Sequence, residues 1–414
     1  MSLFGTLRTP RNLVFGAGQR RALSGYAKAL GSRALVVTDQ RLGADPEFLR
    51  LVSSLVDAGL QVRVFDGTIA ELPIECISSA VEAGRAFGAD LVVGIGGGSC
   101  IDAAKVAAVL LTHGGKASDY YGEFKVPGPV LPLISLPTTS GTGSEVTPVA
   151  VVTDPDRAMK VGIASPHIIS HTAICDPELT YSCPPGLTAV SGADALTHAI
   201  EAFTTMRRQP TASIVHEHVF LGKNVLSDNY ALLAISHIAA SLKRAYDDGG
   251  DIDARERLML GATMAGLAFG TAGTAAAHAV QYPIGAMTHT PHGAGVAVMM
   301  PYVMEFNRGH CEPELAEIGQ AMGLASSGGV SQQAGATIDA VEKLFASVKI
   351  PKTVADLGIV ASQLPTVAEQ AMGSARLIKN NPRPIELDTM MQLVQASFSG
   401  DRASLRASGS HNPT

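Results

Sequence analysis

A chain of 414 residues exceeds what one ordinary core accommodates, so two domains are expected. With 46% hydrophobic residues, 16% charged residues, 43 glycines and no tryptophan, the composition suits a packed globular protein and excludes a disordered one. A formal net charge of −6 offers no basic face to a phosphate backbone, which sets nucleic acid aside and leaves a small molecule as the expected partner.

The opening residues MSLFGTLRTPRN lack a long apolar run followed by a small-residue cleavage site, which reads against a secretory leader. In chain order, β-rich runs at RALVVTD (33–39), QVRVFDG (61–67) and ADLVVGIGGG (89–98) alternate with amphipathic stretches at PEFLRLVSSLVDAG and on to about Phe87. This βαβ rhythm predicts a parallel sheet covered on both faces, with ligands gathering at the carboxyl ends of its strands. Further strands are expected at PLISLP (132–137), PVAVVTD (148–154) and HTAICD (171–176). The turn at Pro184-Pro185-Gly186 marks a boundary, giving an α/β domain over 1–184 and an all-helical domain over 185–414, packed across a cleft. Residues 258–277 carry no formal charge and are long enough to cross a bilayer, but Gly, Ala and Thr dominate and aromatic belts are missing, so a buried helix is expected and no membrane contact. The last residues, RASGSHNPT, read as a frayed tail. Cys76, Cys100, Cys175, Cys183 and Cys311 are odd in number and unpaired in spacing, as in reduced thiols of the cytoplasm.

At the end of LVVGI, Gly96, Gly97, Gly98 and Ser99 open a stretch of helical spacing. Glycines there let a pyrophosphate approach the backbone, where free N–H groups and the helix dipole attract it; a tight structural turn is the competing reading. Asp39 closes ALVVTD, where an acid accepts hydrogen bonds from an adenosine ribose and repels the extra phosphate of NADP, favouring NAD; a helix N-cap is the alternative. Thr138, Thr139 and Thr142 lie in a second small-residue loop after a strand, whose hydroxyls serve a nucleotide or only their own turn.

Asp194 and His198 lie four apart in a helical pattern, so both project from one face. Alone such a pair is commonplace. His278, read as ending a small-residue helix, and His292, which follows Pro291, are candidates to complete it. One aspartate and three histidines suit Fe(II), Zn(II) or Mn(II). His289 competes with His292 on spacing, and His292 is favoured because the proline fixes a helix start. His216 and His218 form a rival pair on poorly matched faces. His113, His167, His171, His237, His310 and His411 are taken as ordinary core or surface residues.

Together GGGSCIDAAK, LPTTSGTGSEVTPVAVVTD, GADALTHAIEAF and HAVQYPIGAMTHTPHG resemble the iron-containing (group III) alcohol dehydrogenases over roughly residues 10 to 400. That resemblance implies a dehydroquinate synthase-like fold, with a Rossmann-like α/β domain followed by an all-α domain. It implies an NAD-dependent enzyme, Fe(II) or else Zn(II) at its centre, interconverting a small alcohol with its aldehyde or ketone by direct hydride transfer, and working as a homodimer or higher homo-oligomer. It places Asp194, His198, His278 and His292 at the metal, and Gly97, Gly98 and Ser99 at the pyrophosphate. Asp39, Thr138, Thr139, Thr142, Lys160 and Leu179 match further cofactor contacts, with Gly96 and Asp102 counted among the cofactor-side candidates. Phe269 matches a substrate-pocket position.

Three departures stand out. Tyr282 occupies a position where many relatives carry another histidine, and its higher reference pKa makes it a poorer neutral-pH base. Hydroxyacid-oxoacid transhydrogenases resemble this variant and stay as an alternative. The loop near residue 70 reads AELPIE, without the usual asparagine. The segment TTMRRQPTASIVHEHVFLGKN is longer than in many relatives, and its Arg207, Arg208 and Lys223 are candidates for admitting an anionic substrate, against a solvated loop or an oligomer contact. A lyase of the dehydroquinate synthase type and a non-catalytic NAD-binding relative complete the alternatives.

Overall fold

The computed structural model describes residues 3–157 and 160–406, so the terminal residues expected to fray lie largely outside it. The described chain forms two compact units: one comprises Arg8–Ser182 together with Thr211–Val219, and the other takes the remaining described residues.

In the first unit the strands are β1 (Asn12–Phe15), β2 (Arg33–Asp39), β3 (Gln61–Thr68), β4 (Leu91–Gly96), β5 (Gly122–Glu123), β6 (Leu133–Pro137), β7 (Val149–Val152), β8 (Val161–Ala164) and β9 (Thr172–Cys175). Six of them make a wholly parallel sheet in the order β1-β9-β6-β4-β2-β3. A small second sheet, β5-β8-β7, pairs β7 antiparallel to β8. β2 and β4 read as unbroken apolar runs because both their faces are covered.

Helices α1 (Leu23–Leu30), α2 (Gln40–Gly43), α3 (Pro46–Asp57), α4 (Ile74–Phe87) and α5 (Gly98–His113) connect these strands. Phe48, Leu51 and Leu55 of α3 pack with Val36 and Val93 on one face of the sheet. Ile77 of α4 and Ala103, Ala104 and Ala107 of α5 pack with Leu35, Val37 and Val92 on the other. Asp45 starts α3 by accepting from the N–H groups of Glu47 and Phe48, with Pro46 in the first turn. The connection after β2 therefore crosses one face and that after β4 the opposite face, which opens a crevice at the carboxyl ends of this adjacent pair. Expected strands 33–39, 61–67 and 132–137 match observed ones to within a residue. The sequence reading missed β1, β5 and β8, which are four residues long or shorter and so too short to show a periodicity.

The second unit holds α6 (Pro185–Thr204), α8 (Val225–Asp247), α9 (Ile252–Ala272), α10 (Ala276–Thr288), α11 (His292–Ala321), α12 (Val330–Ser347), α13 (Leu364–Met372), α14 (Ala375–Asn380) and α15 (Leu387–Ser399); the short α7 (Ile214–Glu217) groups with the first unit. α6, α8, α9 and α11 pack on one another, and α10 lies against α11 and α13. The uncharged stretch 258–277 is not one helix. α9 ends at Ala272, Gly273 takes φ +83, and the chain turns 103° into α10. His278 therefore sits in the first turn of a new helix rather than at the end of the old one, a correction hidden by the helix-like composition of TAGTAAA. By length and composition alone α8 would also span a bilayer; here it buries Ala231, Ala234, Ile235, Ile238 and Leu242 in this unit.

Candidate functional site

Successive turns of α6 present Asp194 and His198 on one face, as their spacing predicts. α10 contributes His278 and the first residue of α11 contributes His292. The three imidazole Nε2 atoms stand 3.6, 3.9 and 3.9 Å from Asp194 Oδ1, in the order His198, His278, His292. One ligand atom from each of the four residues lies within 4.8 Å of every other. Close approach of α11 to α6 requires Gly293, where a Cβ would sit 2.3 Å from the Val190 carbonyl and 2.9 Å from Asp194 Cβ.

Two further residues aim the imidazoles. Glu201, one turn beyond His198, is buried and accepts from His278 Nδ1 at 2.6 Å and from the N–H groups of Ala275 and Ala277 at 2.9 and 2.7 Å. A carboxylate only accepts, so the ring proton sits on Nδ1 and the Nε2 lone pair turns toward the cluster. Gln281 does the same for His292, whose Nδ1 donates to Gln281 Oε1 at 2.6 Å. Neither had been singled out from sequence, although Glu201 lies three residues after His198 and Gln281 three after His278, a spacing that shares a helix face. His198 is flanked by Phe269 (ring centroids 4.2 Å apart) and by His278 (4.8 Å). Tyr282 lies against His292 at 6.1 Å.

The donor set fits a divalent cation. His278 Nε2 is a buried nitrogen without a hydrogen-bond partner, facing a buried carboxylate and two more imidazoles. His289 caps the end of α10 at φ 56 and is exposed, so it stays outside the cluster, as do His216 and His218 on and just after α7.

In the α/β unit Gly97 caps α5, and the turn after β6 closes over it. Thr138 N donates to Gly96 O at 3.0 Å, and a Cβ on Gly98 would meet Thr142 Cγ2 at 2.6 Å. Asp39 ends β2 beside this loop, N-capping α2 through a 2.9 Å bond from Leu42 N while its other oxygen lies 3.8 Å from Cys100 Sγ. The N-cap reading is thus realised, and the residue still stands at the mouth of the β2/β4 crevice. A cavity of about 460 Å³ adjoins it, lined by Leu42, Asp45, Phe48, Ile95, Thr138 and Leu179 among others. Asp102 is turned inward, accepting from Ser144 Oγ at 2.5 Å and Val151 N at 2.8 Å, and burial raises its pKa. Lys105, fully buried, donates to the Thr147 and Val149 carbonyls at 2.9 and 2.8 Å, and burial pulls its ammonium down to about 8. Lys160 pairs with Glu71 in the AELPIE loop, where Glu71 and Leu72 both adopt positive φ.

Two of the three cations of the long segment, Arg207 and Lys223, are paired. Arg207 and Lys223 both reach Asp228, and Lys223 also meets Glu314 at 3.2 Å. That spends their charge on the protein itself.

A family model described as iron-containing alcohol dehydrogenase matches residues 10–177, and one described as the C-terminal part of the Fe-containing alcohol dehydrogenase family matches 188–398. The chain belongs to the iron-containing alcohol dehydrogenase family. Among relatives, long-chain-alcohol dehydrogenase 1 of Geobacillus thermodenitrificans is 37% identical over 93% of this chain and 94% of its own length. Sulfoacetaldehyde reductase of Bilophila wadsworthia is 31% identical over 94% and 98%. The crystal structure of a 1,3-propanediol oxidoreductase superposes with a TM-score of 0.89 at 29% identity, covering 95% of this chain and all of that one. Membership makes the protein an NAD-linked, metal-dependent oxidoreductase of small alcohols and aldehydes, with Fe(II) and NAD as its cofactors.

Proposed function

We propose that Asp194, His198, His278 and His292 are the ligands of the catalytic cation, and that the enzyme interconverts short, uncharged alcohols with their aldehydes or ketones. What carries this reading is the convergence of one carboxylate oxygen and three Nε2 atoms, two of the rings being fixed by outward hydrogen bonds. When bound, the cation supplies Lewis-acid polarisation of the substrate oxygen and NAD accepts or returns the hydride. Glu201 and Gln281 keep His278 and His292 in the tautomer that leaves Nε2 as the donor. Phe269, beside His198, is the proposed apolar wall of the substrate site, and Tyr282, beside His292, the proposed polar one. Gly96, Gly97, Gly98 and Ser99 would take the pyrophosphate, and Thr138, Thr139, Thr142 and Leu179 neighbouring parts of the dinucleotide. Asp39 would accept from the ribose and disfavour the extra phosphate of NADP. An anionic hydroxy-acid substrate gains no support from Arg207 and Lys223, already neutralised by Asp228 and Glu314.

Five cysteines, four of them buried and none joined in a disulfide among the described residues, suit a reducing compartment, so the cytoplasm is the proposed location. A homodimer or higher homo-oligomer is the proposed assembly, on the family resemblance alone. The deciding experiment joins metal analysis of anaerobically prepared, iron-supplied protein to an NADH-linked screen of short alcohols, diols and hydroxy acids. The expected result is one cation per chain and turnover of neutral alcohols. Protein without bound cation that forms no NADH across the panel would overturn the reading.

A further inference from the structure

The break between α9 and α10 leaves backbone groups of both helix ends in the interior, and two side chains from distant parts of the chain satisfy them. Glu201 takes the N–H side, accepting from Ala275 and Ala277. Asn380, the last residue of α14, takes the carbonyl side, where its Nδ2 donates to Ala272 O at 3.0 Å and Thr274 O at 3.1 Å. Only the NH2 end of an amide can serve two carbonyls, so the orientation of this side chain is fixed by chemistry. Asn380 is itself held, because its own carbonyl accepts from Met206 N at 3.0 Å. The fit is tight: a Cβ on Gly273 would meet Asn380 Nδ2 at 2.9 Å. Glu201 Oε2 receives both the Ala275 N–H and His278 Nδ1, so the path of the break and the direction of the ring share one atom.

We propose that Asn380 is a positioning residue of the metal centre, acting through the 272–275 break and Glu201 on the aim of His278. This rests on the reading of the four-residue cluster as a cation site. Without the two Nδ2 bonds the Thr274 carbonyl is left buried without its donor and the Ala272 carbonyl keeps only the Gly222 N–H at 3.2 Å, so the break shifts at Thr274 to find another donor, and the adjoining Ala275 N–H and the His278 ring move with it.

Asn381 provides the control, since it is the next residue and equally buried, yet it exchanges bonds with Asn307 and donates to the Arg383 carbonyl rather than to the break. The test measures Zn2+ and Co2+ dissociation constants of folded protein by chelator competition, together with the visible spectrum of the Co2+-loaded form. Asn380→Ala, one contact further out than a ligand's own partner, is expected to weaken binding roughly 10-fold, the lower end of what loss of such a partner costs, and to change the Co2+ spectrum. Asn380→Ser, which keeps one donor, should fall between and serves if the alanine variant does not fold. Asn381→Ala should lower the melting temperature while leaving the dissociation constant within about threefold of wild type. Equal metal affinity in the Asn380 variants and wild type, or equal losses in the Asn380 and Asn381 variants, overturns the proposal. A wild-type chain that binds neither ion stoichiometrically overturns instead the cation-site reading beneath it.

Discussion

The imidazole of His198 lies almost parallel to the ring of Phe269, at 17° with centroids 4.2 Å apart. Phe269 is buried on α9, so it contributes both core volume and one wall of His198. Phe269→Ala is expected to cost about 3–5 kcal/mol of stability, and to let the His198 ring turn away from Asp194. Phe269→Leu keeps most of the volume without the flat face, so it should cost under about 1.5 kcal/mol and still release metal faster than wild type. Thermal melts with and without a chelator separate the two effects. Unchanged metal retention in both variants would mean that the stacking has no part in holding His198.

Gly98 permits a specific close approach. Any side chain there collides with Thr142, at 2.6 Å from Cγ2 and 3.0 Å from Oγ1. Gly98→Ala should therefore push the 138–142 turn away from the start of α5, weakening NAD roughly 5–150-fold through about 1–3 kcal/mol of overpacking. Thr142→Ser removes Cγ2, and in the double variant most of the affinity should return. Calorimetric titration of NAD into the four proteins measures the coupling, and additive losses would show that the two positions act independently.

These relationships were unequally legible in the sequence. The parallel sheet was readable because strands buried on both faces are apolar throughout, as in ALVV and LVVGI. Asp194 and His198 were readable as a helical pair, while His278 and His292, some eighty or more residues on, were readable only as candidates to complete it, which the family resemblance then joined to the pair. Glu201 and Gln281 carried a usable signal, each one turn from a candidate ligand, but an acid or amide on a helix usually meets water. Asn380 carried none, since it acts on backbone carbonyls more than a hundred residues away, and backbone groups leave no trace in residue identity. The break at Gly273 was masked for a related reason, a run of small residues being as compatible with a continuous helix as with a turn.

Lys105 ties α5 to the 147–149 segment from a fully buried position. Lys105→Ala leaves the Thr147 and Val149 carbonyls without their donor and should cost about 2–5 kcal/mol. The pH dependence has a definite sign. The ammonium is held down at about 8 in the folded chain, mainly by burial, against 10.5 when free. Between these values the unfolded chain binds the extra proton, so this residue's contribution to stability rises with pH, and below about 8 it is level. Urea unfolding of wild type and Lys105→Met at pH 7, 8, 9 and 10 isolates it. A stability difference between them that fails to change above pH 8 would place the titration elsewhere.

Cys100 stands in the first turn of α5, where a helix N-terminus would ordinarily favour a reactive thiolate. Burial, and then the neighbouring Asp39 carboxylate, outweigh that tendency and push the thiol up to about 12. At pH 8 its thiolate is then only roughly one part in ten thousand of the total. Cys183 is the one half-exposed cysteine and the other four are buried. A small alkylating reagent at pH 8 should accordingly label native protein rapidly at Cys183 and reach Cys100 only on unfolding. Asp39→Asn removes the second cause but not the first, so Cys100 labelling should quicken without approaching the rate at Cys183. Peptide mapping after timed alkylation checks both statements. Rapid native labelling of Cys100 would mean that the start of α5 opens to solvent, and with it the glycine loop proposed to receive the pyrophosphate.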